Sequence, residues 1–345
     1  MHRINLLFVL LSQVLLWNKV CNAQEPAKSP LKLGIIGLDT SHVQAFTKQI
    51  NRPDPKKPPL NLKVIAAFPG GSEDLPSSRD RVAGFTKQLR EMDVEIVDSI
   101  EALLPKVDAV LLESVDGRKH LEQAVPVFRA GKRVFIDKPL AANLTDAIAI
   151  DLVAKHYKAN WFSSSSLRFS ESIRKFRDDQ AYSGKIHGAV SWGPCSIDAT
   201  HVDHYWYGIH GVESLYTAMG IGCQSVAQTS TNGADTVVGV WNDGRTGVFR
   251  GIRAGSSGFG MVVFSDKKIE TDSKFDGYEP LVYEIDKFLS GGPQPVSNEE
   301  TLEIMTFMQA AYESKNRGGQ SVKLSEIWQQ HRDAAEKIAA KIVAP

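Results

Sequence analysis

The sequence predicts two folded domains: an α/β domain on a doubly wound parallel sheet, then an α+β domain with a largely antiparallel sheet. Short apolar runs alternate with helical periodicities from residue 32 to residue 158. From residue 159 to residue 324, apolar runs follow one another with few helices between them. The chain has 345 residues, which is enough for two hydrophobic cores.

The first domain is predicted from five strands and the helices between them. The apolar runs are short and bounded by turn residues, as is typical of strands buried on both faces of a parallel sheet. They lie at residues 33–36, 64–67, 94–97, 110–112 and 134–136. Helical spacing appears at Val43, Phe46 and Ile50, at Val82, Phe85 and Leu89, and at Leu121, Ala124, Val125 and Phe128. A helix over residues 145–157 leads to the domain boundary, which we place after residue 158.

In the second domain, Asn242-Asp243-Gly244 separates two apolar runs and is typical of a hairpin turn. Strands are predicted at residues 237–241, 247–252 and 260–264, and helices at residues 281–289 and 299–314. Residues 325–345 are predicted to be a separate C-terminal segment. Its residues 325–343 should form a polar helix that packs on the surface.

Residues 1–23 are typical of a cleavable secretory signal peptide. Arg3 precedes a nearly unbroken apolar run over residues 6–17, and small residues Cys21 and Ala23 precede a cleavage site at Gln24. The run is too short for a membrane span, and no later segment is apolar enough for one. We therefore expect a periplasmic or extracellular protein, with a membrane anchor as the alternative.

The composition excludes two classes of protein. Basic and acidic residues are equal in number, 40 each, so nothing favours binding to nucleic acid. After cleavage two cysteines remain, Cys195 and Cys223. One disulfide could form, but a fold held together by disulfides is excluded.

The stretch "LGIIGLDTSH", residues 33–42, begins like a dinucleotide-binding turn. An apolar strand runs into Gly37, the first glycine of a G-x-G-x-x-G fingerprint, but Asp39 and His42 replace the next two glycines. A carboxylate at position 39 would face the anionic pyrophosphate unless its side chain turned away.

The helix that follows this turn leaves two interpretations open. Backbone N–H groups of residues 40–43 could hold the phosphates of a dinucleotide at the helix N-terminus. Alternatively, the side chain of Asp39, Thr40 or Ser41 caps the helix and the turn is purely structural.

The acid that usually binds the ribose of NAD is also missing. It is expected at the end of the second strand, where this chain has no carboxylate before Glu73. The cofactor is therefore predicted as NAD or NADP.

The stretch "VFIDKPLA", residues 134–141, places Lys138 directly after a buried strand and before the rigid Pro139. Parallel α/β sheets bind ligands at the carboxyl ends of their strands. Lys138 could there donate to a substrate hydroxyl and stabilise the charge that develops on its oxygen.

Several motifs, in this order, resemble the glucose–fructose oxidoreductase, inositol dehydrogenase and MocA-like (Gfo/Idh/MocA) family. They are "LGIIG", "VDAVLLESVDGRKHLEQA" with His120, "AGKRVFIDKPLA", "SLRF" at residues 166–169, "YGIHGVE" at residues 207–213, and the segment 291–324. The resemblance covers residues 32–324. It implies a Rossmann-type dinucleotide-binding domain and an enzyme that uses NAD or NADP on a hydroxyl-bearing carbon of a sugar or polyol.

The resemblance also implies site residues. Lys138 is similar to the family's active-site lysine and His210 to its active-site histidine, which would be the general acid/base. The family often has an acid four residues before that histidine, where this chain has Trp206. The cofactor-binding positions are Gly37, Leu38, Thr40, Ser41, His42, Glu113, Ser114 and Lys138.

The polar residues around His210 have alternative interpretations. Contacts to substrate hydroxyls are expected from Arg168, Asp203, His204, Tyr207 and Glu213, with structural hydrogen bonding as the alternative. Histidine and carboxylate residues over 201–213 could also bind a metal, but their irregular spacing fits no standard zinc signature. No metal ligand is assigned.

These features predict an exported NAD(P)-dependent oxidoreductase acting on a carbohydrate-like substrate. Because free NAD(P) is scarce outside the cytoplasm, the cofactor would be retained through a redox-neutral cycle. The alternatives are a sugar- or partner-binding protein that has lost the dinucleotide, and a metal-dependent lyase or hydrolase. The resemblance further implies a homo-oligomer formed through the open face of the second sheet.

Overall fold

The computed structural model describes residues 29–344. The predicted signal peptide, residues 1–23, lies outside the described residues. Two sheets, one of six strands and one of seven, organise the chain. The predicted fold class, a parallel doubly wound sheet followed by a mostly antiparallel α+β domain, is confirmed.

All neighbouring strands of the first sheet are parallel. The strands are β1 (Leu31–Ile36), β2 (Leu62–Phe68), β3 (Glu95–Ile96), β4 (Ala109–Leu112), β5 (Arg133–Ile136) and β6 (Trp161–Ser163). Their order is β3-β2-β1-β4-β5-β6. The order reverses between β1 and β4, and ligands bind outside the carboxyl ends of the strands at such a switch point.

Five helices connect these strands, four at the predicted places and one, α3, at a place where none was predicted. They are α1 (Ser41–Asn51), α2 (Pro76–Arg90), α3 (Ile100–Leu103), α4 (His120–Arg129) and α5 (Leu144–Tyr157). Asn143 caps α5 by accepting a hydrogen bond from the backbone N–H of Asp146 at 2.9 Å.

The first sheet extends past the predicted domain boundary at residue 158. Trp161 pairs with Val134, so β6 is a sixth strand of this sheet. The strand has only three residues, which is too short to produce a recognisable pattern in the sequence.

The second sheet is formed by the part of the chain that follows. Its helices are α6 (Glu171–Asp178), α7 (Gln180–Ser183) and α8 (Ile209–Met219). Its strands are β7 (Ile186–Pro194), β8 (Cys223–Ser230), β9 (Ala234–Trp241), β10 (Thr246–Ile252), β11 (Gly260–Ser265), β12 (Ile269–Asp272) and β13 (Val322–Lys323). The order is β12-β11-β7-β10-β9-β8-β13, with β7 and β10 parallel and the other neighbours antiparallel. The predicted hairpin joins β9 to β10.

The last three helices return to the first domain. They are α9 (Glu279–Leu289), α10 (Asn298–Asn316) and α11 (Leu324–Val343). Leu281 and Phe288 of α9 share one core with Phe46 and Phe135 of the first sheet's layer. Helices α10 and α11 share the other core with α5. The two domains are therefore joined through common cores. No helix in the described part of the chain is long and apolar enough to cross a membrane.

Candidate functional site

A cavity of about 310 Å³ lies at the carboxyl ends of the first sheet, between the two domains. It is lined by Thr40, Ser41, His42, Arg81, Val115, Lys138, Ser166, Leu167, Ser196, Trp206, Tyr207, His210, Phe259, Phe275 and Tyr278. Two cationic side chains and two histidines are in this set, and no carboxylate is among the described residues that line it. The electrostatics of the cavity therefore favour an anionic or hydroxyl-rich ligand.

Gly37 makes the tight turn after β1 with a positive φ of +87°. A Cβ at this position would overlap the backbone and side chain of Ser114, which follows β4. Only glycine allows this conformation and this close approach. The role predicted for the first fingerprint glycine is thus consistent with the structure.

The side chain of Asp39 turns away from the start of α1. It is fully buried, and its carboxylate accepts from the N–H of Val115 at 2.8 Å and from the Ser78 hydroxyl at 2.6 Å. Burial raises the pKa of Asp39, while these two hydrogen bonds oppose that rise. Asp39 therefore links β1, α2 and the segment after β4 and does not line the cavity.

The first turn of α1 is available to an anion. The helix begins at Ser41, its N-cap is Thr40, no side chain caps it, and its first turn has no acid. The predicted alternative of a side-chain helix cap is therefore wrong for this turn. Uncapped N–H groups at a helix start are suited to phosphate, so the residues present fit the phosphates of a dinucleotide.

His42 occupies the position of the third fingerprint glycine, and its ring is held by three contacts. Nδ1 lies 2.7 Å from Oδ2 of Asp137, which follows β5. The ring stacks on Phe46 with centroids 5.2 Å apart and meets Tyr278 edge-on at 4.8 Å. Nε2, which has no hydrogen-bond partner among residues 29–344, is the ring nitrogen left for a ligand in the cavity.

Asp137 is ionised in this arrangement. Its burial raises the pKa, but the neighbouring His42 and Lys138 outweigh that effect and lower the pKa of Asp137 to about 2. The carboxylate also accepts from the backbone N–H of Lys138 at 2.9 Å. An ionised carboxylate accepts from Nδ1–H, which leaves Nε2 of His42 as the proton-accepting nitrogen.

Lys138 lies at the predicted carboxyl end of β5 and lines the cavity with a residue exposure of only 9%. Such a lysine can donate to one ligand oxygen without competition from bulk water. The structure therefore places it where its predicted role requires, and that role stays a prediction.

His210, near the start of α8, lines the same cavity. Nδ1 lies 2.8 Å from the Ser165 hydroxyl, and the ring contacts Tyr207 and Phe259 edge-on. Burial lowers the pKa of His210 well below its usual value, and the nearby Lys138 and His42 lower it further. The imidazole is therefore neutral near pH 7.

The predicted cofactor positions divide into two groups. Thr40, Ser41, His42 and Lys138 line the cavity, while Gly37, Leu38, Glu113 and Ser114 are buried and do not line it. Glu113 is fully buried and neither carboxylate oxygen has a hydrogen-bond partner in the described residues. Burial, with Asp137 and Asp39 nearby, raises the pKa of Glu113 well above its usual value, so it is protonated.

Of the five predicted substrate residues, Tyr207 lines the cavity and the other four do not. Arg168 is buried and pairs with Glu213 at 2.7 Å and with Glu300 at 2.6 Å. These pairs link the start of the second domain to α8 and α10. Arg168 and Glu213 therefore make structural hydrogen bonds, which was the predicted alternative, and they do not contact the space where a ligand in this cavity would lie.

Asp203 and His204 belong to a buried polar group inside the second domain. Asp203 pairs with Lys315 at 3.0 Å, and Nε2 of His204 lies 3.1 Å from Asp235. Asp235 in turn accepts from Arg253 with both carboxylate oxygens. Both predicted substrate residues are thus engaged away from the cavity.

The residues considered for a metal are dispersed in the structure. His201 lies 3.7 Å from Asp116 and His210 faces the cavity. A group that the sequence did not reveal, Cys195 with His204 and Asp235, has potential ligand atoms within 4.8 Å of one another. Because Arg253 already balances the Asp235 carboxylate and burial raises the pKa of Cys195 to about 12, we assign no ligand role to it.

Both described cysteines, Cys195 and Cys223, are buried free thiols. The disulfide that the sequence allowed is not formed between them. Burial raises the pKa of each thiol to about 12, so neither is a nucleophile near neutral pH.

Sequence reasoning missed much of the cavity wall. The residues not assigned to the site are Arg81, Val115, Ser166, Leu167, Ser196, Trp206, Phe259, Phe275 and Tyr278. They come from loops and helix ends far apart in the chain, where no periodicity marks them. The one available signal was the position of Trp206, four residues before His210.

The whole fold is similar to solved dehydrogenase structures. One is scyllo-inositol dehydrogenase from Lactobacillus casei with bound NAD(H) and scyllo-inositol, at 16% identity and a TM-score of 0.70, covering 86% of this chain and 99% of that one. A probable dehydrogenase from Thermotoga maritima has 20% identity and a TM-score of 0.69, covering 86% and 100%. GenD2 from gentamicin A biosynthesis, in complex with NAD, has 14% identity and a TM-score of 0.68, covering 86% and 96%. These likenesses establish the fold.

Among curated proteins, none is similar enough to this chain to count as a match. Residues 31–163, however, match the model of the Gfo/Idh/MocA family, described as an oxidoreductase family with an NAD-binding Rossmann fold. The matched segment contains the Gly37 turn, His42, Asp137 and Lys138. The predicted family and dinucleotide cofactor are thereby confirmed for residues 31–163, which are similar to the NAD-binding domain of the Gfo/Idh/MocA oxidoreductases.

Proposed function

We propose that this protein is an exported NAD(P)-dependent oxidoreductase that acts on a hydroxyl-bearing carbon of a sugar or polyol. The observation that carries the proposal is the cavity itself. It combines the uncapped start of α1 with Lys138, His42 and His210 in one space between the domains.

The role of each group is inferred from its position in the cavity. The N–H groups at the start of α1 would hold the dinucleotide phosphates, with the Arg81 guanidinium nearby in the cavity wall. When bound, the oxidised nicotinamide supplies an acceptor for hydride. Lys138 donates to the substrate oxygen and stabilises its developing charge, while a neutral histidine takes the hydroxyl proton.

A sugar or polyol suits the rest of the wall. Trp206, Tyr207 and Phe259 provide apolar faces, and Ser166 and Ser196 provide hydroxyls. Pockets that bind such ligands combine apolar walls with a few placed polar groups. The structurally similar scyllo-inositol dehydrogenase was crystallised with its polyol, which supports the same substrate class here.

Export and retention of the cofactor are the further parts of the proposal. The residue pattern over 1–23 supports export. Free NAD(P) is scarce outside the cytoplasm, so an exported enzyme would reduce again what it had oxidised, in a redox-neutral cycle on one substrate.

The test is to identify the nucleotide that the protein carries. Residues 24–345 are produced in a cytoplasm rich in cofactor, purified and denatured, and the released nucleotide is identified by mass spectrometry. We expect NAD or NADP at close to one per chain, followed by turnover on sugars or polyols that Lys138→Ala abolishes. A protein without nucleotide, and without a thermal shift on adding NAD(P)(H), would contradict the proposal. That result would favour the alternative of a binding protein. The presence of Asp39 and His42 in place of two fingerprint glycines supports the same alternative.

A further inference from the structure

Two histidines line the cavity, and their partners differ in charge. Nδ1 of His42 is 2.7 Å from the carboxylate of Asp137, while Nδ1 of His210 is 2.8 Å from the hydroxyl of Ser165. Each ring therefore directs Nε2 to the remaining space, but only one of them has an anion behind it.

This difference decides which ring can accept a proton. A proton on His42 creates an imidazolium that the buried, ionised Asp137 balances directly. A proton on His210 creates a charge in a buried place next to Lys138, with a neutral hydroxyl as its partner. The cost of the second imidazolium is therefore larger.

The His42 ring is also fixed in orientation. Phe46 stacks on one face, Tyr278 contacts it edge-on, and the first turn of α1 carries its backbone. A proton acceptor held in one orientation avoids the entropy loss that a mobile side chain has to overcome.

Two positions of the site differ from the family pattern in a way that fits a proton acceptor at His42. Trp206 stands where the Gfo/Idh/MocA pattern often has an acid, and His42 stands where the fingerprint has a glycine. This chain thus lacks an acid four residues before His210 and has instead an Asp–His pair whose histidine lines the same cavity.

We propose that His42, oriented by Asp137, is the general base that takes the substrate hydroxyl proton, and that His210 binds the same hydroxyl as a neutral group. The proposal rests on the proposed oxidoreductase function. The hydrogen of the substrate C–H bond would leave with both bonding electrons, as a hydride that the oxidised nicotinamide accepts when the cofactor is bound. The O–H bond breaks, its electron pair forms the carbonyl, and the proton moves to Nε2 of His42. Asp137 is a positioning residue, because it acts through His42.

The decisive variant is His42→Gly, which also restores the third glycine of the fingerprint. If position 42 were merely a degenerate phosphate turn, this change should improve both cofactor binding and turnover. We expect instead that kcat falls by about 10²-fold or more. The affinity for NAD(P) should stay equal or become tighter, and added imidazole should restore part of kcat. His210→Gln should raise KM and lower kcat by less than about tenfold.

The test has a matched control variant and a second readout that does not depend on turnover. His156→Gln, which changes an exposed histidine on α5, should leave kcat and KM unchanged. In the protein without substrate or cofactor, ¹⁵N NMR of the histidine rings should show His42 protonated on Nδ1 and bare on Nε2. Asp137→Asn should abolish that tautomer preference.

The outcomes separate this assignment from the function on which it rests. If His42→Gly keeps kcat while His210→Gln loses it, His210 is the base and the inference is wrong. A wild-type His42 protonated on Nε2 would overturn it as well. If the wild-type protein carries no nucleotide and oxidises no polyol, the proposed function fails first, and the base assignment fails with it.

Discussion

Two of the buried Asp–His pairs in residues 29–344 have similar geometry and different surroundings. At the cavity, His42 lies 2.7 Å from Asp137, and in the second domain His204 lies 3.1 Å from Asp235. His42 retains 7% exposure and lines a cavity, whereas His204 is fully buried and Asp235 is neutralised by Arg253. The same two residue types thus form an available acid/base pair in one place and a structural junction in the other.

The comparison shows what makes a buried polar pair chemically useful. A pair can act on a ligand when one ring nitrogen faces open space and the carboxylate has no competing cation of fixed geometry. The second pair meets neither condition, because His204 is fully buried and Arg253 occupies both oxygens of Asp235. The predictions below change one member of this comparison at a time.

The largest effect, a loss of stability, should follow from removing the carboxylate of the fully buried His204–Asp235 pair. Asp235→Ala leaves Arg253 and His204 without their anion in a buried place, and we expect a loss of about 3–5 kcal/mol in the free energy of unfolding. Turnover per folded molecule should stay within about threefold of wild type. Chemical denaturation and active-site counting measure the two quantities. A large fall in kcat without a loss of stability would show that this pair also serves the reaction.

The matching change at the cavity should reverse that pattern. Asp137→Asn keeps the size of the side chain and removes its charge, so we expect kcat to fall by about 10²-fold with a smaller loss of stability. Steady-state kinetics and denaturation of the same preparation test it. Equal losses of stability for both Asp variants would remove the distinction between the two pairs.

A smaller effect should come from Glu113, which is fully buried near Asp137. Its folded-state pKa is raised, so above about pH 4.5 the unfolded chain ionises this group while the folded protein keeps it protonated. Stability is therefore lost as pH rises towards the folded pKa. Glu113→Gln should remove that loss, so the stability of the variant relative to wild type should increase between pH 4 and pH 8. Denaturation at both pH values tests this, and a difference that does not depend on pH would contradict it.

The smallest effect is expected at Asp39, because its carboxylate faces Val115 and Ser78 and not the start of α1. Asp39→Asn should change the dissociation constant of NAD(P) by less than about threefold. Fluorescence titration measures this constant. A tighter complex by tenfold or more would show that the charge at position 39 repels the pyrophosphate after all.

The sequence predicted the features that depend on local patterns. The strand ends at Gly37 and Lys138 follow from short apolar runs next to turn residues, and the structure places both where expected. The start of α1 near Ser41 could also be predicted from the sequence. Whether a side chain caps this helix could not, because capping depends on side-chain rotamers.

Pairings between distant residues were not predictable in the same way. His42 and Asp137 are 95 positions apart, and β4 lies between β1 and β5, the strands that precede them in the chain. Asp203 and His204 were expected at the substrate because they lie near His210 in sequence. Their partners, Lys315 and Asp235, come from α10 and β9, which no local pattern relates to residue 203.

The return of α9 to the first sheet has a consequence for how the chain must fold. Residues such as Phe46 and Phe135 complete their core only with Leu281, Phe288 and Val296, which are synthesised much later. Contacts between residues that are about 150 to 250 positions apart make folding slow relative to local structure formation. The segment matched by the family model therefore depends on α9 to complete its core. Its apolar face is fully covered only after α9 and the residues up to Val296 have been synthesised.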